Sequence, residues 1–260
     1  MSTTPAATAQ PVLPKSRSEA DSAPVSALTQ PPLTEDLALV LLKSPDLLSD
    51  ALEPLLQNAG VMKSRKVRLA LAGHPRAPRR IALRLIREFH TFDLMRFALT
   101  PTAAADLRRI ADEQLISRLA SVTLGERISL ARRCSATMAA ALLLDKHSRV
   151  WQTALENSRL TEAAIVKALQ RPQAAPALVE GVCHHAKWSL RPEIRLALLR
   201  NPHTPLAHAM DFARRLPPAQ LRDILRVSRL PEKTKIYLRK EQEAKGKHGS
   251  TSSRKPVTEN

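Results

Sequence analysis

The amino-acid sequence predicts an all-α fold. Hydrophobic residues make up 43% of the chain and aromatic residues only 3%, so the core must be built from Leu, Ala, Ile and Val, which suit helix packing. Only six glycines occur in 260 residues, fewer than the tight turns of an all-β protein of this size would need. Apolar residues also recur at positions i, i+3 and i+4, the spacing of one helix face.

Composition divides the chain into three parts. Residues 1–32 are rich in Pro, Ser, Thr and Ala, and we expect them to be disordered because they lack core-forming side chains. Residues 241–260 are expected to be a disordered polar tail, in which Gly246, Gly249 and Pro256 oppose a helix. Residues 33–240 are predicted to form the folded helical domain.

A repeated unit runs through that domain. Alignment by apolar residues places the starts of five units near Val67, Ile128, Val150, Ile194 and Leu221, and two of the steps between them are 22 and 44 residues. Each unit reads as a short helix, a turn and a second helix. The sequence therefore predicts a right-handed superhelical stack, an α-solenoid, of helix-turn-helix repeats of about 22 residues. Residues 34–57 are expected to form a helical hairpin that closes its first end.

The turn is clearest in GHPRAP (residues 73–78) and RNPHTP (residues 200–205). Pro75 and Pro202 cannot continue the first helix, and Pro78 and Pro205 suit the first position of the second helix. Thr204 and Thr161 are predicted helix N-caps: Thr204 for the helix after RNPHTP, Thr161 for the second helix of the unit that begins near Val150.

The segments VRLALAGHPRAP and IRLALLRNPHTP resemble the leucine-rich repeat variant, a bacterial helical repeat related in shape to HEAT and armadillo solenoids. The resemblance covers residues 65–240 and implies a curved binding surface without a shared activity. Some relatives carry an iron–sulfur cluster. This chain has two cysteines, which cannot supply four ligands, so we expect no cofactor.

No segment carries a catalytic or metal-binding motif. Cys134 and Cys183 lie 49 positions apart and are predicted to be buried thiols in a reduced, cytoplasmic protein. No apolar run is long enough to span a membrane. Cys183, His184 and His185 are adjacent on one helix and point in different directions, so no metal site is predicted there. The absence of motifs favours a non-enzymatic protein without deciding the matter.

Positive charge is the strongest functional signal. The chain carries 41 Lys and Arg against 24 Asp and Glu, a net charge of +17. The first 32 residues hold two basic and two acidic side chains and the last 20 hold four and three, so an excess of sixteen lies in between. Such an excess attracts polyanions of any kind. The alternative is that a GC-rich genome simply favours Arg codons.

Arginines recur at one place in the aligned units. Arg68, Arg195 and Arg222 occupy the second position, and Arg127 and Arg149 lie one place earlier in theirs. Equivalent positions stack in a solenoid, so we predict a basic ridge for phosphates or carboxylates. The candidates that widen it are Arg191, Arg226 and Arg229. The alternative is that these arginines pair with local acids such as Glu193 and Asp223.

Trp151 shares the position of Arg68 in its unit and is a candidate aromatic contact. Helical-repeat DNA glycosylases use an acidic residue and aromatic residues against an exposed base, and Asp145, Trp151 and Trp188 are the residues of those types here, although the sequence carries no glycosylase motif. The alternative places Trp151 in the packing between repeats and Asp145 at a helix cap. Two functions therefore stay open: a scaffold that binds an acidic protein, and a nucleic-acid-binding protein that contacts the phosphate backbone. Few aromatics are present to stack on single-stranded bases.

Overall fold

Helices account for all the regular secondary structure in residues 33–47 and 49–251, which are the residues that the computed structural model describes. These residues contain no strand, so the all-α prediction is confirmed. The expected N-terminal tail, residues 1–32, lies outside the described residues. The helices are α1 (Glu35–Leu41), α2 (Ser49–Gln57), α3 (Ala59–Met62), α4 (Arg65–Ala72), α5 (Arg79–Glu88), α6 (Thr91–Ala98), α7 (Ala105–Ser117), a 3-10 turn (Leu119–Ser121), α8 (Leu124–Arg133), α9 (Ala136–Leu142), α10 (Ser148–Leu155), α11 (Glu162–Gln170), α12 (Pro176–His184), α13 (Pro192–Arg200), α14 (Leu206–Ala213), α15 (Pro218–Val227) and α16 (Glu232–Thr251).

Prolines set many of the helix boundaries. α4 and α13 end before Pro75 and Pro202, as the sequence predicts. Pro78 and Pro205 are N-cap residues, one position before the first helical residue that we expected them to occupy. The Thr204 hydroxyl donates to the carbonyl oxygen of Leu198 at 2.6 Å, so Thr204 is not the N-cap of α14. Thr161 does cap α11, since its hydroxyl oxygen accepts from the Ala164 N–H.

The last helix is longer than expected. α16 continues to Thr251, so the backbone over 241–251 is helical, whereas we placed the end of the folded domain at residue 240. Most of this stretch consists of Lys, Glu, Gln and Ala, which favour a helix, and each glycine costs only about 1 kcal/mol without ending it. Residues 252–260 lie outside the described residues.

Helices two apart in the chain pack against each other. α5, α7, α9, α11, α13 and α15 form one continuous series of contacts, here called the odd row. α8, α10 and α12 form a second series, the even row, and α14 packs on α16 in the same manner. Consecutive helices such as α8 and α9 or α13 and α14 join the two. The buried apolar side chains form one cluster that extends from Ala38 to Leu238.

The repeat length differs from the expected value of about 22 residues. In the even row, α8, α10 and α12 begin at residues 124, 148 and 176, and in the odd row α11, α13 and α15 begin at 162, 192 and 218. Neighbours in these two series are therefore 24 to 30 residues apart. The 44-residue step from Val150 to Ile194 leads from α10 to α13 and so from the even row to the odd row. Apolar spacing alone misses this crossing because helices of both rows carry the same stripe.

Buried polar side chains after helix ends tie neighbouring helices together. The Asn201 side-chain amide donates to the Leu169 carbonyl at the end of α11 at 2.7 Å, and its oxygen accepts from the His203 N–H at 2.9 Å. Asn157 repeats both bonds, to the Ala131 carbonyl at 2.8 Å and from the Arg159 N–H at 2.8 Å. These bonds satisfy carbonyls that a helix end leaves free. They also fix where each turn lies against its neighbour.

Candidate anion-binding edge

The five predicted ridge arginines do not form a single exposed line. Arg127 and Arg149 lie on α8 and α10 of the even row, whereas Arg195 and Arg222 lie on α13 and α15 of the odd row. Arg68 lies on α4, which packs on α1 and α5. Arg149 and Arg222 are exposed, and the other three are half-buried. The equivalence seen in the sequence therefore breaks where the units change rows.

Each half-buried arginine has a partner within the chain. Arg127 forms an ion pair with Asp145 at 2.6 Å, with side-chain exposures of 14% and 7%. Arg68 lies 3.6 Å from Glu88. Arg195 donates from Nε to the Ser189 carbonyl at 2.7 Å. Desolvation by burial lowers the pKa of Arg195 from its usual value, and the nearby Arg215 lowers it further. The three side chains are therefore bonded within the chain instead of forming a free basic surface.

Arg222 is one of the two exposed residues of the predicted ridge. It lines a groove of about 510 Å³ between α15 and α16, together with Arg226 and Arg239. Glu243 also lines this groove and offsets part of its positive charge. Of the predicted widening residues, Arg226 therefore lies beside Arg222, whereas Arg229 lies in a different recess, described below.

Trp151 is not a surface contact. Its side chain is 5% exposed and packs against Gly181 of α12. A Cβ atom at Gly181 would lie 2.5 Å from Cζ3 of the Trp151 ring, so this glycine permits the close approach of α10 and α12. Asp145 pairs with Arg127 and accepts from the His147 N–H at 2.9 Å, directly before α10. Neither residue is available to an extruded base.

Both cysteines are free and buried, as predicted. Burial raises the pKa of the Cys134 and Cys183 thiols to about 12, so neither thiol ionises at neutral pH to act as a nucleophile. Within the described residues, no group of three or more His, Cys, Asp or Glu side chains is placed to hold a metal ion.

Three other arginines converge at one edge of the odd row. Arg171 is the C-cap of α11, Arg200 is the last residue of α13, and Arg229 follows α15 by two residues. All three are exposed and line a recess of about 390 Å³ with His203 and the exposed side chain of Val227. No Asp or Glu lines it. Among the described residues, no carboxylate pairs with any of the three guanidinium groups.

Local sequence explains why these side chains meet. Pro172 follows Arg171, and Pro202 follows Asn201, and a residue before proline is pushed into the extended region. Arg171 and Asn201 accordingly have ψ values of 140° and 134°, which ends both helices at matching positions. The turns are then joined by the Asn201 bond to α11 and by two further bonds, from Ser228 to the Leu199 carbonyl at 2.6 Å and from the Arg229 N–H to the Arg200 carbonyl at 3.1 Å.

The recess has a net positive charge. Each helix C-terminus contributes roughly −0.5 elementary charge, so three helix ends offset only about half of three guanidinium charges. The N–H groups of the three guanidinium groups suit a carboxylate or a phosphate, which a guanidinium can bind through two parallel hydrogen bonds. Sequence reasoning reached Arg229 but missed Arg171 and Arg200. The sequence signal that could have found them is an arginine at a proline-terminated helix end: Arg171 directly precedes Pro172, and Arg200 directly precedes Asn201-Pro202.

A larger recess lies near the N-terminal end of the described residues. It measures about 870 Å³ and is lined by parts of α4 and α6 and by the turn after α1. Lys43, Lys66 and Arg96 contribute positive charge, but Asp93 also lines it and forms an ion pair with Arg65 at 2.7 Å. Unlike the recess lined by Arg171, Arg200 and Arg229, this one contains a carboxylate that already pairs with one of its basic side chains.

Comparison of the chain with protein-family models, with curated proteins and with solved structures finds no match. Of the helices in the described part of the chain, none combines the length and the apolar character that crossing a bilayer requires.

Proposed function

We propose that this protein is a non-enzymatic helical-repeat scaffold that binds an acidic partner protein. Its repeats stack as a right-handed α-solenoid that resembles the solenoids of the leucine-rich repeat variant and of HEAT-like proteins. The contacts between helices two apart and the single buried cluster support this architecture. The two free, buried thiols agree with a cytoplasmic location.

The recess at the end of the odd row carries the proposal. Arg171, Arg200 and Arg229 offer three guanidinium groups without a competing acid, beside a valine that is 62% exposed. A protein segment that combines carboxylates with an apolar side chain matches both features. Guanidinium groups without an internal partner can bind a carboxylate without first breaking an ion pair of their own.

Charge reversal in the recess tests this function. The full-length protein is titrated into a fluorescent peptide that carries Glu and Leu residues, and into the same peptide with Gln in place of Glu. We expect the triple variant Arg171→Glu, Arg200→Glu and Arg229→Glu to lose binding of the acidic peptide. The Gln peptide should bind weakly to every form of the protein.

A second triple variant controls for total charge. Arg80, Arg132 and Arg215 are exposed, lie outside the recess and have no ion pair among the described residues. Replacing all three by Glu changes the net charge by the same amount and should leave most of the binding intact. Equal loss in both triple variants would show that the peptide responds to overall charge and not to the recess.

Nucleic acid is the second candidate partner, because the excess of sixteen positive charges between residues 33 and 240 extends well beyond one recess. A protein that contacts several phosphates loses affinity steeply as salt rises. The nucleic-acid function therefore predicts that an oligonucleotide binds with a steep salt slope and that both triple variants weaken it similarly.

A further inference from the structure

Two histidines from different helices, His184 and His208, face each other. His184 is the last residue of α12 and His208 lies in α14. Their Nε2 atoms are 3.2 Å apart, and their ring planes are inclined at 85° with centroids 4.5 Å apart. His184 is exposed and His208 is half-buried, so the pair is accessible from solvent. The function proposed above uses neither residue.

The hydrogen bonds of His184 fix its tautomer. Its Nδ1 lies 2.9 Å from the carbonyl oxygen of Glu180, and a carbonyl can only accept, so Nδ1 carries the proton. In the neutral ring, Nε2 then has a free lone pair directed at His208. Donation from the far ring nitrogen to a backbone carbonyl is also the arrangement that orients metal-binding histidines.

The rings do not form a straight N–H···N bond. In a straight bond, the distance between the ring centroids would exceed the distance between the nitrogens by two ring radii. Here the nitrogens are 3.2 Å apart and the centroids only 4.5 Å apart, a difference smaller than two ring radii. The rings are therefore bent towards each other. A bent hydrogen bond is weak.

The spacing suits a metal ion. Two nitrogens 3.2 Å apart, each bonded at about 2.0–2.1 Å, enclose an angle of about 100–105° at the metal, close to tetrahedral. Imidazole nitrogen favours zinc, copper and nickel over magnesium or calcium. We infer that His184 and His208 form a two-histidine site for a divalent transition-metal ion. No third His, Cys, Asp or Glu joins them among the described residues, so water completes the coordination.

The surroundings hold the second ligand in place. The His208 ring stacks on the Phe212 ring, with 6.0 Å between the ring centroids. The guanidinium of Arg195 lies 5.7 Å from the centroid of the Phe212 ring and is held there by its hydrogen bond to the Ser189 carbonyl. A bound ion would join α12 to α14. Those two helices pack less closely than α10 with α12 or α14 with α16, so the ion would strengthen the weaker junction.

Zinc binding tests the site directly. The full-length protein without an affinity tag is titrated with zinc chloride by calorimetry, and its thermal unfolding is followed with and without zinc. We expect one zinc ion per chain, and a rise in the unfolding midpoint of roughly 3–6 °C at ten times the dissociation constant. His184→Ala and His208→Ala should each abolish both effects.

His90 provides the matched control, because it is exposed and its ring has no hydrogen bond within the described residues. His90→Ala should bind zinc like the wild type. Circular dichroism verifies that each variant is folded, and His184→Gln and His208→Gln replace either alanine variant that is not. Zinc binding that survives in the folded His184 and His208 variants would overturn the proposal, and so would a wild-type protein whose unfolding does not respond to millimolar zinc. Either result would leave the two rings as a hydrogen-bonded pair.

Discussion

Arg127 and Asp145 form the most enclosed ion pair among the described residues. The pair connects α8 to the turn before α10, where Asp145 also accepts from the His147 N–H. Removal of one partner of such a pair leaves the other charge in a site with little water. Arg127 therefore stabilises the junction between two neighbouring helices of the even row and is not free to bind a partner.

Replacement of Arg127 by Ala is expected to lower the free energy of unfolding by about 2–3 kcal/mol, because Asp145 then keeps a buried charge without its partner. Urea denaturation at neutral pH measures the change. Adding Asp145→Asn should recover part of the loss, since Asn removes the charge and can still accept from His147. Arg149→Ala, at an exposed position in α10, should stay within about 0.5 kcal/mol of the wild type. Equal effects at positions 127 and 149 would contradict the structural role of Arg127.

Gly181 and Gly125 both lie in helices but have opposite surroundings. A Cβ atom at Gly181 would meet the Trp151 ring at 2.5 Å, whereas at Gly125 nothing lies within 4 Å. Gly181→Ala should reduce stability by about 1–2 kcal/mol, because the overlap outweighs the gain in helix propensity. Gly125→Ala should instead add up to about 1 kcal/mol. Thermal unfolding of both variants provides the measurement, and a stabilising Gly181→Ala would mean that α10 and α12 are further apart.

At the scale of elements, asparagines after helix ends set the register between neighbours. Asn201 is 6% exposed and uses both ends of its amide. Asn157 does the same in the even row, after α10. Since the amide reaches back to a helix two places before its own, each such residue positions one turn on the previous one. The recess lined by Arg171, Arg200 and Arg229 depends on that placement.

Asn201→Ala is predicted to cost about 1–3 kcal/mol, because it leaves the buried Leu169 carbonyl without its donor. Hydrogen exchange should show faster exchange of the His203 amide, which loses its acceptor. His203→Ala, whose side chain is exposed, controls for a change in the same turn. The idea would be refuted if both variants were equally stable and the exchange rate did not change.

Sequence predicts individual helices far better than their arrangement in rows. Pro75 and Pro202 mark real helix ends because proline excludes the helical continuation by sterics alone. The assignment of Val150 and Ile194 to equivalent helices was wrong, because α10 and α13 belong to different rows. Both rows carry one apolar stripe, so the sequence pattern does not distinguish them. Contacts between residues that are distant in the sequence determine which row a helix joins.

The same limit applies to the candidate site. The arginine pattern predicted Arg68, Arg127 and Arg195 as a basic surface, yet each is half-buried and bonded within the chain. Whether an arginine is free depends on which acids and carbonyls the neighbouring turn brings to it. Arg171, Arg200 and Arg229 meet only because three turns of the odd row align, and no spacing in the sequence states this.

At the scale of the whole molecule, net charge and the location of uncompensated charge are separate properties. The chain carries +17, but many of its arginines pair with acids, as at Arg65 with Asp93 and Arg109 with Glu113. A general polyanion attraction falls steeply with salt. Binding that also buries apolar surface, as at Val227, persists better because salt does not screen the hydrophobic effect.

A salt series with two probes tests the central claim most directly. The full-length protein is titrated, from low to physiological salt, with the acidic peptide that carries Glu and Leu and with a double-stranded DNA oligonucleotide, whose phosphates are the contacts that the nucleic-acid alternative requires. The scaffold account predicts that the peptide still binds at physiological salt, that the oligonucleotide does not, and that charge reversal at Arg171, Arg200 and Arg229 removes the peptide binding. An oligonucleotide that binds more tightly than the peptide throughout, and that both triple variants weaken equally, would contradict it.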